Sequence, residues 1–177
     1  MRAVLAAVLA AVPTAAAQPA AAALAPGSVA PAFTAPAFQD GKPLTFDLAK
    51  ALKKGPVVLY FFPAAFTAGC DLEARLFAEA VPQFQAAGAT VVGVTAGNLD
   101  RLAAFSQEKC SGRFPVAADP GAALARSYDA LLPAKPDWSH RTSYVIAPDG
   151  KVALAYTDMK PNEHVARTLA AVKALKR

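Results

Sequence analysis

An α/β fold, with a central mixed sheet flanked by helices, is predicted by three features of this chain. Residues 57–62 form an unbroken apolar run rich in β-branched and aromatic side chains, which is typical of a strand buried on both faces, and residues 89–95 predict a second buried strand. Each run is followed by apolar residues at helical spacing, and strands joined by helices run parallel. Residues 148–151 (Pro-Asp-Gly-Lys) separate two further apolar runs and favour a hairpin, which adds antiparallel strands.

The first half of the chain is divided by its prolines and glycines. Residues 28–38 carry two prolines and are expected to be extended, and a short strand at 43–46 returns beside them. Asp47 is a suitable cap for a short helix that ends before Gly55. Strand 57–62 then leads into a long helix that ends at Gly88, and Pro82 is expected to kink or divide this helix.

The second half continues the alternation. After strand 89–95, Asn98 is expected to cap a helix that includes Cys110, and a short strand follows at 115–118. A helix at 122–131, the hairpin strands at 142–147 and 152–156, and an amphipathic helix at 162–175 complete the order. His164, in the last helix, is expected to face solvent. This succession predicts a thioredoxin-like fold with an N-terminal extension.

The N-terminus has the features of an export signal. Residues 1–23 contain a basic start at Arg2, an apolar stretch and small residues suited to cleavage after about Ala17 to Ala23. The remaining residues 28–177 suffice for one domain, which we expect to be periplasmic or secreted and free of the membrane once the signal is removed. The net charge is +5, but no basic stripe interleaved with aromatic residues argues for nucleic-acid binding.

Cys70 lies where a buried strand passes into a helix N-terminus. Free backbone N–H groups and the helix dipole favour an anion there, so the thiolate form of this cysteine is favoured. Because the first hairpin strand is expected to run antiparallel to strand 57–62, Arg141 should lie beside Pro63 and the Cys70 turn. Its permanent charge would stabilise the sulfur anion.

Two further side chains are expected near this thiol. Thr67 precedes Cys70 by three residues, and its hydroxyl could donate to the sulfur, accept from a bound peroxide or cap the helix. Glu73 follows by one helical turn and could hold Arg141 in place. Pro63 would set the loop entry and shield the sulfur from water.

The pattern Pro63-x-x-x-Thr67-x-x-Cys70 with a distant Arg141 resembles the peroxiredoxins, and most closely their bacterioferritin comigratory protein subgroup. The resemblance implies a thiol peroxidase in which Cys70 attacks hydrogen peroxide or an organic hydroperoxide and becomes a sulfenic acid. Thr67 and Arg141 would hold the peroxide oxygens. No metal, haem, flavin or other cofactor would be needed.

The same resemblance suggests Cys110 as the resolving cysteine of an intramolecular disulfide, reduced afterwards by a thioredoxin-like dithiol donor. A monomer or weak dimer is expected. The chain departs from the subgroup in carrying Ala68 and Asp71 beside the cysteine, and Asp71 adds a negative charge that opposes the thiolate. Arg75 occupies the position that sometimes holds the subgroup's resolving thiol.

Other interpretations of the cysteines remain open. Cys70 and Cys110 could form a permanent structural disulfide, or Cys110 could be an inert buried thiol. The alternative function is a thioredoxin-fold disulfide-exchange or binding protein without peroxidase activity, although such exchange proteins normally use Cys-x-x-Cys, which this chain lacks. The roles of His140 and Trp138 are left open by the sequence.

Overall fold

The structure, a computed structural model, describes residues 23–175. The predicted export signal therefore lies outside the described residues, apart from Ala23. None of the helices within residues 23–175 is long and apolar enough to cross a membrane.

Strands and helices alternate through most of the described chain. The strands are β1 (Thr34–Gln39), β2 (Lys42–Asp47), β3 (Val57–Phe61), β4 (Thr90–Thr95), β5 (Val116–Ala118), β6 (Leu131–Leu132), β7 (Lys135–Ser139), β8 (Thr142–Ile146) and β9 (Val152–Thr157). The helices are α1 (Leu48–Leu52), α2 (Ala68–Ala86), α3 (Leu102–Glu108), α4 (Ala123–Ser127) and α5 (His164–Ala174).

The main sheet has seven strands in the order β2-β1-β5-β4-β3-β8-β9, and β6 and β7 form a separate ribbon. Strand β3 is parallel to β4 and antiparallel to β8, so the sheet is mixed as predicted. The register opposes Phe61 to Thr142. The residue before β8, Arg141, therefore lies at the sheet edge where β3 enters the loop that carries Pro63.

Strand β3 is buried along its whole length because both faces of the sheet are covered. Val58, Tyr60 and Phe62 point to a core shared with α2, α3 and α5, whereas Leu59 and Phe61 point to a second core. Helices α1 and α4 cover this second core. Layers of helices on both faces of a mixed sheet confirm the predicted fold class.

Several element predictions are wrong in detail. Helix α2 continues as one helix through Pro82, so of the two alternatives for this proline the division into two helices is wrong. Asn98 does not cap α3, because its backbone is left-handed and its amide donates to the Ala65 carbonyl. Cys110 lies two residues beyond the end of α3, since Ser111 and Gly112 both adopt positive φ. Helix α4 stops at Ser127, well before the predicted end at residue 131.

Candidate active site

Cys70 is the third residue of α2, and its side chain is buried. The N–H groups of the first helical turn have no intrahelical acceptor and point toward this end of the helix. The loop between β3 and α2 is fixed by the end of β4, where the Thr95 hydroxyl donates to the Pro63 carbonyl over 3.1 Å. Pro63 is buried, and its expected role in shielding the sulfur stays a prediction.

Gly97 allows the loop after β4 to lie flat against Pro63 and Ala64. A Cβ atom at position 97 would lie 2.5 Å from the Pro63 carbonyl oxygen and 2.7 Å from the Ala64 Cβ. Real Cβ atoms do not approach this closely, so only glycine fits without moving the Pro63 loop.

Arg141 connects the cysteine to the rest of the site. Its Nη2 donates to the Cys70 Sγ over 3.5 Å, its Nη1 donates to Glu73 Oε2, and its Nε donates to the Met159 carbonyl over 3.0 Å. Burial lowers the pKa of Arg141, but the negative charges of Glu73 and Cys70 together raise it by more. The net shift is upward, so the guanidinium stays charged. The hydrogen bonds to Glu73 and to the Met159 carbonyl hold this cation beside the sulfur.

Gly69 belongs to the same arrangement. A Cβ atom there would lie 3.1 Å from the Arg141 Nη2, which is tighter than most real Cβ contacts. The residue before Cys70 is thus small where the guanidinium passes over the helix N-terminus.

Glu73 is fully buried and faces Arg141 through only one of its oxygens. The other oxygen, Oε1, has no hydrogen-bond partner among the described residues and lies 3.7 Å from the Nδ1 atom of His164. Burial raises the pKa of Glu73 to about 8, although the Arg141 charge partly offsets this rise.

His164 is completely buried, so the expectation that it faces solvent is wrong. Its Nδ1 lies 2.8 Å from the Ser143 hydroxyl, and its Nε2 lies 2.9 Å from the Asp158 carbonyl oxygen. Burial lowers the pKa of His164 to about 4, which keeps the imidazole neutral. Its spacing of four and eight residues from Thr168 and Val172 was the available sequence signal for a shared inner face.

Thr67 occupies the N-cap position of α2, but its side chain makes no capping hydrogen bond. The hydroxyl instead donates to the Ala64 carbonyl over 3.1 Å, so it does not donate to the sulfur. Its oxygen lone pairs remain able to accept a hydrogen bond. Asp71, whose charge was expected to oppose a thiolate, pairs with Lys109 at 3.2 Å.

Comparison with known proteins identifies the family to which this chain is similar. Residues 26–155 match the AhpC/TSA family. Chloroplastic peroxiredoxin Q from Sedum lineare is 32% identical over 139 residues, covering 78% of this chain and 73% of that protein. Peroxiredoxin Bcp from Xanthomonas campestris pv. campestris is 29% identical over 146 residues, covering 73% of this chain and 91% of that protein.

A solved structure agrees with these relatives. The crystal structure of peroxidoxin BcpB from Mycobacterium tuberculosis has a TM-score of 0.73 and 30% identity, and it covers 84% of this chain and 96% of that chain. The chain belongs to the AhpC/TSA family. The resemblance to peroxiredoxins and to their Bcp-like subgroup is thereby confirmed, and the relatives support thiol peroxidase activity.

The second cysteine of this AhpC/TSA family member is not bonded to the first. Cys70 and Cys110 are both free and both lie in the core that α2 and α3 share. Burial raises the pKa of the Cys110 thiol strongly, and the nearby Asp71 raises it further. In this conformation Cys110 is therefore a covered, protonated thiol.

His140 and Trp138, whose roles the sequence left open, both have contacts within the structure. The His140 Nδ1 lies 3.2 Å from the Arg141 carbonyl oxygen, and its backbone N–H donates to the Ala130 carbonyl over 2.6 Å. Trp138, in β7, lies under the Lys135 ammonium at 3.2 Å from the ring centroid.

Within residues 23–175, no group of three or more His, Cys, Asp or Glu side chains is placed to hold a metal ion.

Proposed function

We propose that this protein is a peroxidase in which the Cys70 thiolate reduces hydrogen peroxide or an organic hydroperoxide. The observation that carries the proposal is the 3.5 Å contact between the Cys70 sulfur and Arg141, a buried cation held by two further acceptors. A helix N-terminus and a fixed guanidinium both favour negative charge at this sulfur. An ionised cysteine in a shielded niche is the nucleophile that peroxide reduction requires.

The chemical step transfers one oxygen atom to sulfur. The Cys70 thiolate attacks the terminal oxygen of the hydroperoxide, a sulfur–oxygen bond forms, and the oxygen–oxygen bond breaks. The departing alkoxide takes up one proton to become an alcohol, or water when the substrate is hydrogen peroxide. The cysteine is oxidised to sulfenic acid by two electrons, and the peroxide is reduced by the same two.

Arg141 and Thr67 would bind the peroxide during this step. The guanidinium donates hydrogen bonds and offsets charge that develops on the oxygens. The Thr67 hydroxyl hydrogen is already used on Ala64, so its oxygen can accept from the O–H of a hydroperoxide. Arg141 therefore acts as the donor and Thr67 as the acceptor, and together they would fix the orientation of the two peroxide oxygens.

Cys110 would resolve the sulfenic acid by forming an intramolecular disulfide and releasing water. Both thiols are buried and unbonded, so the α2 N-terminus, the segment around Cys110, or both would rearrange to bring them into the geometry of a disulfide, which needs Cα atoms closer than about 7 Å. A thioredoxin-like dithiol donor would then reduce the disulfide by thiol exchange. We further propose that the mature protein acts after export, as a monomer or weak dimer.

Stopped-flow mixing of the reduced protein with hydrogen peroxide tests the peroxidase activity. Wild type should consume one equivalent rapidly and end as the Cys70–Cys110 disulfide, whereas the Cys70 sulfenic acid should be trapped and detected by mass spectrometry in Cys110→Ser. Cys70→Ser should abolish this reaction, whereas Cys110→Ser should retain it and lose recycling by a dithiol donor. Peroxide consumption that persists in Cys70→Ser would refute the function. Normal recycling of Cys110→Ser would refute the resolving role alone.

A further inference from the structure

The carboxyl of Glu73 and the imidazole of His164 meet behind Arg141, out of contact with solvent. Both side chains are fully buried, and Glu73 Oε1 faces His164 Nδ1 at 3.7 Å. Oε1 has no hydrogen-bond partner among residues 23–175, although the other oxygen of the same carboxyl is bonded to Arg141. A buried carboxyl oxygen without a partner is unfavourable and requires an explanation.

The hydrogen-bond directions around His164 leave a gap for one proton. The Asp158 carbonyl can only accept, so the His164 Nε2 carries a hydrogen and donates to it. In a neutral imidazole Nδ1 is then an acceptor, which receives the Ser143 hydroxyl at 2.8 Å. Two acceptors, Nδ1 and Oε1, therefore face each other with no hydrogen between them.

We propose that Glu73 and His164 form a one-proton site behind Arg141, and that its occupancy sets how strongly Arg141 attracts the anionic sulfur of Cys70. The proposal rests on the proposed function, in which Cys70 reacts as an anion. A proton on Oε1 can be donated to Nδ1 after a small approach of the two side chains, in place of the Ser143 hydroxyl that otherwise occupies the single lone pair of Nδ1. Glu73 and His164 are positioning residues here, since neither touches the reacting sulfur.

The surroundings favour the proton on the carboxyl. Burial raises the pKa of Glu73 to about 8 and lowers that of His164 to about 4, so near neutral pH the carboxyl is protonated and the imidazole is neutral. The titratable or charged groups that face the pair come from every neighbouring element. They are Tyr60 (β3), Cys70 (α2), His140 and Arg141 (before β8), Tyr156 (β9) and Asp158 (before α5).

Occupancy of the site changes the charge balance at Arg141. When Glu73 is protonated, the guanidinium charge is opposed only by the sulfur anion. When Glu73 ionises, the same guanidinium is shared between two anions, and its hold on the sulfur and on developing oxygen charge weakens. The peroxide reaction should therefore slow as pH rises past the titration of Glu73.

Infrared difference spectroscopy on the reduced protein detects the proton without relying on activity. Wild type should show the carbonyl stretch of a protonated carboxylic acid near neutral pH, lost at alkaline pH and absent in Glu73→Gln. Ser143→Ala removes the hydroxyl that competes for Nδ1, so the band should persist to higher pH. Absence of a Glu73 band at pH 6 would overturn the proposal.

Nitrogen NMR assigns the partner. The chain contains two histidines, so His140→Ala leaves His164 as the only imidazole to observe. Its Nε2 should be protonated, and its Nδ1 signal should shift at the pH where the carboxyl band disappears. A doubly protonated imidazole near neutral pH would contradict the proposal.

The pH dependence of peroxide reduction links the proton to the chemistry. The second-order rate constant of wild type should fall several-fold above about pH 8, whereas that of Glu73→Gln should level off. Superimposable profiles, with both proteins active, would refute the coupling but leave the peroxidase proposal intact. An inactive wild type would instead refute the proposed function, while the infrared and NMR results would still decide the proton site.

Discussion

Replacement of Arg141 by alanine tests the contact on which the site depends. The substitution removes the donor that lies 3.5 Å from the Cys70 sulfur and leaves Glu73 without its cation. Glu73 should remain protonated and uncharged at neutral pH, because burial already raises its pKa to about 8 and the cation that opposes this rise is gone. The variant should therefore remain folded, and its effect should be largely on reactivity.

The magnitude follows from the separation of charge. Two unit charges 3.5 Å apart attract by about 5 kcal/mol at an effective dielectric constant of about 20, and by about 1 kcal/mol in water. The environment of a buried side chain in a folded protein lies between these two limits, so an intermediate loss of about 3 kcal/mol is expected. That loss corresponds to a rate reduction of about 100-fold, similar to the loss of one oxyanion-hole donor.

The assay is the single-turnover rate of peroxide reduction at pH 7, measured by stopped flow. Arg141→Lys should fall between wild type and alanine, since a lysine retains the charge but carries its donors on one nitrogen instead of on the three separate nitrogens that Arg141 uses. Arg126→Ala is the matched control, because Arg126 is exposed on α4, which covers the other face of the sheet. A reduction smaller than about threefold in folded Arg141→Ala would refute the electrostatic account.

Three other perturbations test the surrounding structure. Tyr60→Phe removes a buried hydroxyl that has no hydrogen-bond partner among the described residues; urea denaturation should show a gain of about 1 kcal/mol, and a loss would indicate a missed partner. Gly97→Ala should destabilise the protein by about 2 kcal/mol and slow peroxide reduction, because its Cβ would meet the Pro63 carbonyl; unchanged values for both would contradict the close packing. The free energy of unfolding of wild type, relative to that of Glu73→Gln, should fall by roughly 2–3 kcal/mol between pH 6 and 8. The reason is that folded wild type holds a proton on Glu73 that the unfolded chain has already released. A difference that stays constant with pH would show that Glu73 is ionised throughout.

The strands and the place of Arg141 could be predicted from sequence because their signals are local or topological. An apolar run such as 57–62 has no alternative to burial, and its helical connection to the next strand sets the parallel direction. The hairpin then determines that the strand starting at Thr142 begins where β3 ends. Placing Arg141 required only this direction, and no knowledge of side-chain packing.

Helix ends were harder to predict because they depend on backbone conformations that composition does not determine. Asp129 adopts a φ of 52°, which turns the chain out of α4 and into the β6–β7 ribbon. That ribbon includes Pro133, at its turn, and Pro136 in a strand, and the sequence pattern gave no reason to expect pairing there. Helix α3 similarly ends at Glu108, and Ser111, at a φ of 50°, turns the chain directly after Cys110.

The buried position of His164 was missed because its spacing from Thr168 and Val172 is a weak signal and its polar partners lie in other segments. The apolar stripe through Val165 and Leu169 suggested one inner face of the last helix, but the fully buried line passes one residue earlier, through His164 and Thr168. Polar side chains can occupy that line because Ser143 and the Asp158 carbonyl satisfy the imidazole. Ser143 is 21 residues from His164 in the sequence, and Asp158 lies in the irregular segment before α5.

The C-terminal segment is consequently part of the candidate active site, even though it carries no group that touches the sulfur. Arg141 donates to the Met159 carbonyl, and His164 donates to the adjacent Asp158 carbonyl. The same two side chains also approach the two oxygens of Glu73. The orientation of the cation at Cys70 thus depends on the loop before α5 as well as on β8, and a change in that loop should alter reactivity at the distant end of α2.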